Sequence, residues 1–171
     1  MATNKKSYYE NLPKKRMAVG AVFLDAAQRI LIVKPIYKDT WLIPGGVIEV
    51  NESPYAACIR EVQEEIGLYM PHLKFLSVDY MSSETSGYPN KGENLQFIFF
   101  GGVLGEEEIK NIKLAKDEIS EYKFASLAQA QQLVNKNLAR RLPKSLEAIH
   151  NSGGFYLEAG ESISDDFDAV H

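Results

Sequence analysis

A single cysteine, Cys58, is the whole thiol content of this 171-residue chain, so no disulfide can form within it. That usage suits a reducing compartment, and a cytoplasmic location is expected. No run of 18 apolar residues occurs, so no helix is expected to span a membrane. The N-terminus, MATNKKSYYENLPKKR, lacks the apolar stretch of a secretory signal. Positive charge is scarce. Lys and Arg total 19 against 23 Asp and Glu, a net charge of −4, and charge alone supplies no affinity for nucleic acid. The basic groups Lys5-Lys6, Lys14-Lys15-Arg16 and Arg140-Arg141 are too short to change that and read as solvated surface. Histidine is rare too: His72, His150 and His171 stand far from any motif. No Gly-x-Ser-x-Gly turn exists and the one cysteine falls inside an expected helix, so a serine or cysteine nucleophile has no support. The remainder is ordinary for one folded domain, with 45% hydrophobic and 25% charged residues.

Against that background one stretch stands out. Residues 46–68 read GVIEVNESPYAACIREVQEEIGL, or G-x5-E-x7-R-E-U-x-E-E-x-G-U with U aliphatic. At average residue usage a chance match at one start is on the order of one in 10^9. Ser53 suits a helix N-cap and Pro54 the first helical position, while Gly67 suits the residue that ends the helix. Glu61 precedes Glu64 and Glu65 by three and four residues, which places three carboxylates on one helical face. Ile59, Val62 and Ile66 recur at helical spacing and are expected to pack on a sheet. Three crowded acids repel one another, and a divalent cation relieves that conflict. Oxygen-only ligands suit magnesium or manganese. An E-x-x-E-E cluster alone is usually a solvated face. The glycine pair, the loop glutamate Glu52 and the Arg60-Glu61 step at fixed offsets set this one apart.

The pattern resembles the signature of the Nudix hydrolase family, with no departure in the box. The likeness continues into Trp41-Leu42-Ile43-Pro44-Gly45-Gly46 and into a first hairpin over 17–37, and covers about residues 15 to 150. Asn51 stands where the family most often has glycine; asparagine tolerates positive φ. The resemblance implies a Nudix-type α/β/α sandwich with a mixed β-sheet and the catalytic loop and helix on one face. It implies that Arg60 and Glu52 orient the helix acids, and that Glu61, Glu64 and Glu65, with the Gly45 carbonyl, bind Mg2+ or Mn2+. Glu61 is also a candidate base. Family members often recruit one more acid from outside the box. Glu118 is the first candidate here, ahead of Glu84, Glu93 and Glu121. Tyr37, Trp41, Tyr80 and Phe97 are candidate stacking partners for a nucleobase, against the plainer reading of each as a core residue.

The implied reaction is water attack on a nucleoside diphosphate linked to another moiety, with a nucleoside triphosphate the default substrate. Nucleotide sugars or dinucleotides are the alternative. A nucleotide-sensing domain without catalysis is the alternative of another class, disfavoured because every box acid is kept. An isomerase of isoprenoid diphosphates would need a cysteine in another setting. Expected partners are a nucleotide-diphosphate small molecule and, at most, a second copy of the chain in a homodimer, with neither membrane nor nucleic acid.

Along the chain, strands are expected over 17–24, 29–33, 41–43, 73–80, 96–100 and 119–125, and helices over 127–135 and 138–150, the second interrupted or restarted at Pro143. Ser82 to Glu93 reads as a long loop. Residues 1–15 form an N-terminal extension, 16–150 the domain, and 151–171 an acidic tail of a composition that usually stays unstructured.

Overall fold

Alternate residues of the first strand part to opposite faces. In β1 (Arg16–Leu24), Val19, Ala21 and Phe23 join one buried cluster, and Val22 and Leu24 join another. In β2 (Ile30–Pro35), Leu31 and Val33 part in the same way from Ile30 and Ile32. Strands apolar on both faces belong at the centre of a sheet covered twice. The computed structural model, which describes residue 8, residues 10–87 and residues 89–163, has that arrangement. The other strands are β3 (Lys74–Met81), β4 (Asn94–Val103), β5 (Ile119–Ala125), β6 (Phe155–Glu158) and β7 (Glu161–Ser162). They form one seven-stranded mixed sheet in the order β5-β2-β1-β4-β3-β6-β7. β1 pairs parallel with β4 and β3 with β6, and the remaining neighbours are antiparallel.

Helix α1 (Pro54–Ile66) covers the first face. Helix α2 (Glu106–Lys110) and the turn after it bring Ile109, Ile112 and Leu114 to the same side. Helices α3 (Leu127–Leu133) and α4 (Lys136–Glu147) cover the second face through Ala130, Leu138 and Leu142. The result is the expected α/β/α sandwich. Full burial of Val62 and Ile66 stabilises α1 by roughly 1.5–3 kcal/mol each.

Several local expectations change in the fold. The buried stripe of α1 is Ala57, Cys58, Val62 and Ile66; Ile59 sits at its flank, half-buried, because the helix rolls its smaller residues against β1. Trp41–Ile43 is not a full strand. Leu42 exchanges two backbone hydrogen bonds with Val33, at 2.8 and 2.9 Å, and Trp41 bridges to Val134. α4 runs through Pro143 without a break. The proline removes the N–H that would reach the Ala139 carbonyl, and the Gln131 side chain donates to that carbonyl instead, at 3.0 Å. The tail is also more ordered than its composition suggests. Residues 155–158 extend the sheet beside β3 because their Leu157 is fully buried there. The parts of the N-terminal extension and of the tail over 1–7, 9 and 164–171, which include Ser164-Asp165-Asp166 and His171, lie outside the described residues.

Candidate active site

The loop before α1 and the helix itself assemble the acids. Ser53 accepts a hydrogen bond from the Ala56 N–H at 3.1 Å, and Pro54 opens the helix. Gly67 ends it at φ +73°, its N–H donating to the Gln63 carbonyl at 3.0 Å. Asn51 has φ +63°, as expected of a residue standing in for glycine.

Arg60 is the hub. Its Nε and Nη2 donate to the two oxygens of Glu52 at 2.8 and 2.9 Å, a bidentate fork. Its Nη1 donates to Glu61 and to Glu64, each at 2.9 Å, and Nη2 also reaches the Val47 carbonyl at 3.2 Å. The guanidinium beside Glu52, helped by the Glu49 N–H, holds that carboxyl down at about 2. The same contacts push the arginine further up.

Glu65 differs from its neighbours. It is 6% exposed, and its Oε2 accepts the Gly45 N–H at 2.8 Å. Burial pushes its carboxyl up to about 8; the Gly45 N–H opposes that, and the charges of Glu61, Glu118 and Glu64 add to it. Glu61 is raised as well, by burial first, with the Arg60 guanidinium opposing and Glu64 and Glu118 adding. Of the four acids outside the box, Glu118 is thus the one whose charge reaches both buried glutamates. Glu93 is instead bound to Lys15 at 2.7 Å and accepts a hydrogen bond from the Tyr80 hydroxyl.

Two glycines keep the space open. A Cβ at Gly46 would lie 2.4 Å from the Glu61 carboxylate, and one at Gly45 would lie 2.2 Å from the Val19 carbonyl oxygen. Gly45 also has φ +148°. The carbonyls of Pro44 and Gly46 accept from the Ala21 and Val19 N–H groups, both at 2.8 Å, while that of Gly45 between them receives no hydrogen bond from the described residues.

These observations fit a hard divalent cation. The donors are all oxygens, burial and neighbouring carboxylates raise the Glu65 carboxyl, and a side chain on the turn would fill the cradle. As they stand, no three acidic side chains among the described residues converge closely enough to hold an ion, because Arg60 takes both Glu61 and Glu64.

The same turn borders a cleft of about 280 Å³ on the other face of the sheet, between β1, β4 and α4. Tyr37, exposed, lines it and is near enough to Glu65, Glu118 and Glu61 for their charges to raise its hydroxyl, after burial. The other aromatic candidates do not line it. Trp41 is a core residue, 7% exposed, with the Lys123 ammonium 4.2 Å from its ring centre, so no face is left for a base. Phe97 packs on the α1 side of the sheet, and Tyr80 is held by Glu93 with Lys15 over its ring. Cys58 is fully buried and its thiol is pushed up to about 12 by burial, which leaves it inert. Residues that sequence reasoning did not assign to the site are Arg141, Asn135, Gln96 and Lys38, all of which line the cleft; Arg141, expected to be solvated surface, is buried. No local signal marks them, since they come from three separate segments.

Comparison with known proteins agrees with this geometry. The model of the NUDIX domain family matches residues 14–148. An RNA pyrophosphohydrolase of Ruthia magnifica subsp. Calyptogena magnifica is 39% identical over 62 residues, 36% of this chain and 35% of that protein. The chain therefore matches about a third of the length of this relative and of its counterpart from Psychrobacter sp.. A MutT-like protein of Streptomyces ambofaciens is 30% identical over 116 residues, 64% of this chain and 70% of that protein. The crystal structure of the MutT protein from Methanosarcina mazei Go1 superimposes with a TM-score of 0.63 at 18% identity, over 82% of this chain and 100% of that one, a likeness of fold. With the family model spanning the sheet, the glycine turn and α1 together, this chain belongs to the Nudix hydrolase family.

Proposed function

We propose that the protein hydrolyses a nucleoside diphosphate linked to another moiety, with nucleoside triphosphates as its foremost substrates. One observation carries the reading: the Gly45–Gly46 turn forms the edge of the cleft and at the same time touches Glu65 and Glu61. A nucleoside in the cleft thereby has its phosphates at the acids. Glu61, Glu64, Glu65 and the Gly45 carbonyl would hold magnesium or manganese, with Glu118 the acid from outside the box whose charge reaches Glu61 and Glu65. The bound ion would screen phosphate charge and acidify a water.

The chain's own residues do the rest. Arg60 keeps its fork on Glu52 and so fixes the loop against the helix, while Glu61 and Glu64, which share its Nη1, would leave that nitrogen to take the ion. Gly45 N–H orients Glu65. Glu61, raised by burial, is a stronger proton acceptor for the attacking water than an ordinary carboxylate. The names of the matching RNA pyrophosphohydrolases support a pyrophosphate bond as the target, and nucleotide sugars and dinucleotides follow as further substrates.

Phosphate release from a nucleotide panel tests the reading. Turnover with magnesium or manganese, none in excess chelator, and little with calcium is expected, because calcium's looser coordination places a water less tightly. Nucleotide binding without turnover under any metal would overturn it in favour of a sensing domain. A cytoplasmic location accords with the single free thiol, and no helix of the described residues is long and apolar enough to cross a membrane.

A further inference from the structure

The cleft has apolar walls, Val19, Ile43, Ile98 and Leu138, and one polar end where α4 meets the sheet. Arg141 is 4% exposed there. Its Nε donates to Asp79 Oδ2 at 2.7 Å and its Nη2 touches the Met81 sulfur at 3.5 Å, a weak acceptor. Nη1 meets no acceptor among the described residues. Asp79, fully buried, also takes the Gly160 N–H at 3.0 Å, so the hairpin of β6 and β7 clamps the carboxylate that clamps the arginine.

Asn135 stands beside it as the N-cap of α4. Its Oδ1 accepts from the Asn137 and Leu138 N–H groups at 3.1 and 3.0 Å. Capping thus fixes which way the amide faces, and what it has left to offer is its NH2. Lys38, at the cleft's mouth, is donor-only as well. Gln96 and the Tyr37 hydroxyl can each present either group. The polar end therefore offers donors and asks for acceptors.

We infer that this cleft selects a nucleobase whose facing edge carries carbonyl oxygen, guanine or uracil, over adenine and cytosine, and that Arg141 and Asn135 determine that choice. The inference rests on the reading of the substrate as a nucleotide with its phosphates at the acids. A phosphate in the cleft itself is disfavoured: Asp79 already balances Arg141, and the apolar walls would strip water from an ion. An aromatic ring fits those walls. The exocyclic amine of adenine or cytosine would instead face N–H groups, leaving donors unpaired on both sides.

The test is equilibrium binding of GMP, UMP, AMP and CMP to the full chain by calorimetry, which needs no turnover. GMP and UMP are expected to bind at least about 10-fold tighter than AMP and CMP. Asn135→Asp keeps the oxygen that caps α4 and replaces the free NH2 by a carboxylate oxygen. It should shrink the preference about 10-fold or more, with Tm nearly unchanged. Arg141→Lys keeps a cation for Asp79 but loses the planar fork, and should weaken GMP and UMP while leaving AMP alone. Equal binding of the four, binding of none, or an unchanged preference in Asn135→Asp would overturn the inference. Base preference without hydrolysis sinks only the proposed reaction; hydrolysis without base preference sinks only this assignment.

Discussion

At the scale of single residues, Arg60 and Glu65 have separable duties. Arg60 donates to three glutamates and one carbonyl, and its two-point grip on Glu52 is the contact that lysine cannot copy. Arg60→Lys should lower kcat more than it raises KM, because alignment is lost rather than uniform binding. Glu52→Gln should do the same, and the double variant should be little worse than either. Full additivity in steady-state kinetics would mean that the arginine grips substrate phosphate instead. Glu65→Gln keeps an oxygen for the Gly45 N–H and removes the charge, so the fold survives and kcat falls by at least about 10^2, roughly 2.7 kcal/mol of transition-state stabilisation. This carboxyl also gives metal-free stability a pH signature. Its folded value, about 8, lies above the ordinary 4.5, so the native state holds the proton more tightly. Stability therefore falls as pH rises from about 4.5 to about 8. Glu52, held at about 2, acts oppositely, and its contribution is lost as pH falls below 4.5. Thermal melts in chelator should show a slope between pH 5 and 8 that shrinks in Glu65→Gln.

At the scale of elements, what could be read from the chain was what neighbours in sequence decide. The cap at Ser53, the proline after it, the stop at Gly67 and the positive φ of Asn51 are all local, and all appear. The Ile119–Ala125 strand appears with the same bounds. Pro143 shows where that logic ends. A proline in a helix interior costs about 3 kcal/mol by itself, which favours a break. The helix continues because Leu138 and Leu142 are buried on one face and because Gln131, from the preceding helix, serves the carbonyl that the proline leaves bare. Gln131→Ala should cost about 0.5–1 kcal/mol in chemical denaturation, since the site is exposed and water compensates in part. In a Pro143→Ala background, where the backbone N–H returns, that cost should vanish; an equal cost in both backgrounds would show that Gln131 acts otherwise.

At the scale of the whole molecule, the residues missed are those that long-range pairing brings together. Asp79 and Arg141 are 62 positions apart and Asp79 and Gly160 are 81 apart, and nothing near any of them in sequence announces the contact. Of the two readings of Trp41, the core one holds, and it too rests on long-range packing, against Val134 and the second buried cluster with Lys123 over the ring. Asp79→Ala should cost about 3–5 kcal/mol, since it leaves a guanidinium buried without its counter-charge. Loss of less than 1 kcal/mol in equilibrium unfolding would show that Arg141 finds water instead.

The pairing of β6 with β3 also sets an order of events during synthesis. β3 is made early, and β4 pairs with one of its edges soon afterwards. Its other edge waits for residues 155–158, which are made after β1 to β5 and α1 to α4. Until then a full row of backbone donors and acceptors, with Asp79 behind it, stays open to any other extended chain. The finished sheet instead ends in β7, two residues long and carrying Glu161, with Glu158 opposite, a rim too short and too acidic to recruit another strand. The hairpin of β6 and β7 thus acts as a molecular hem: a chain cut short after α4 would carry a raw edge and should gather into aggregates, while a chain that includes the hairpin stays dispersed.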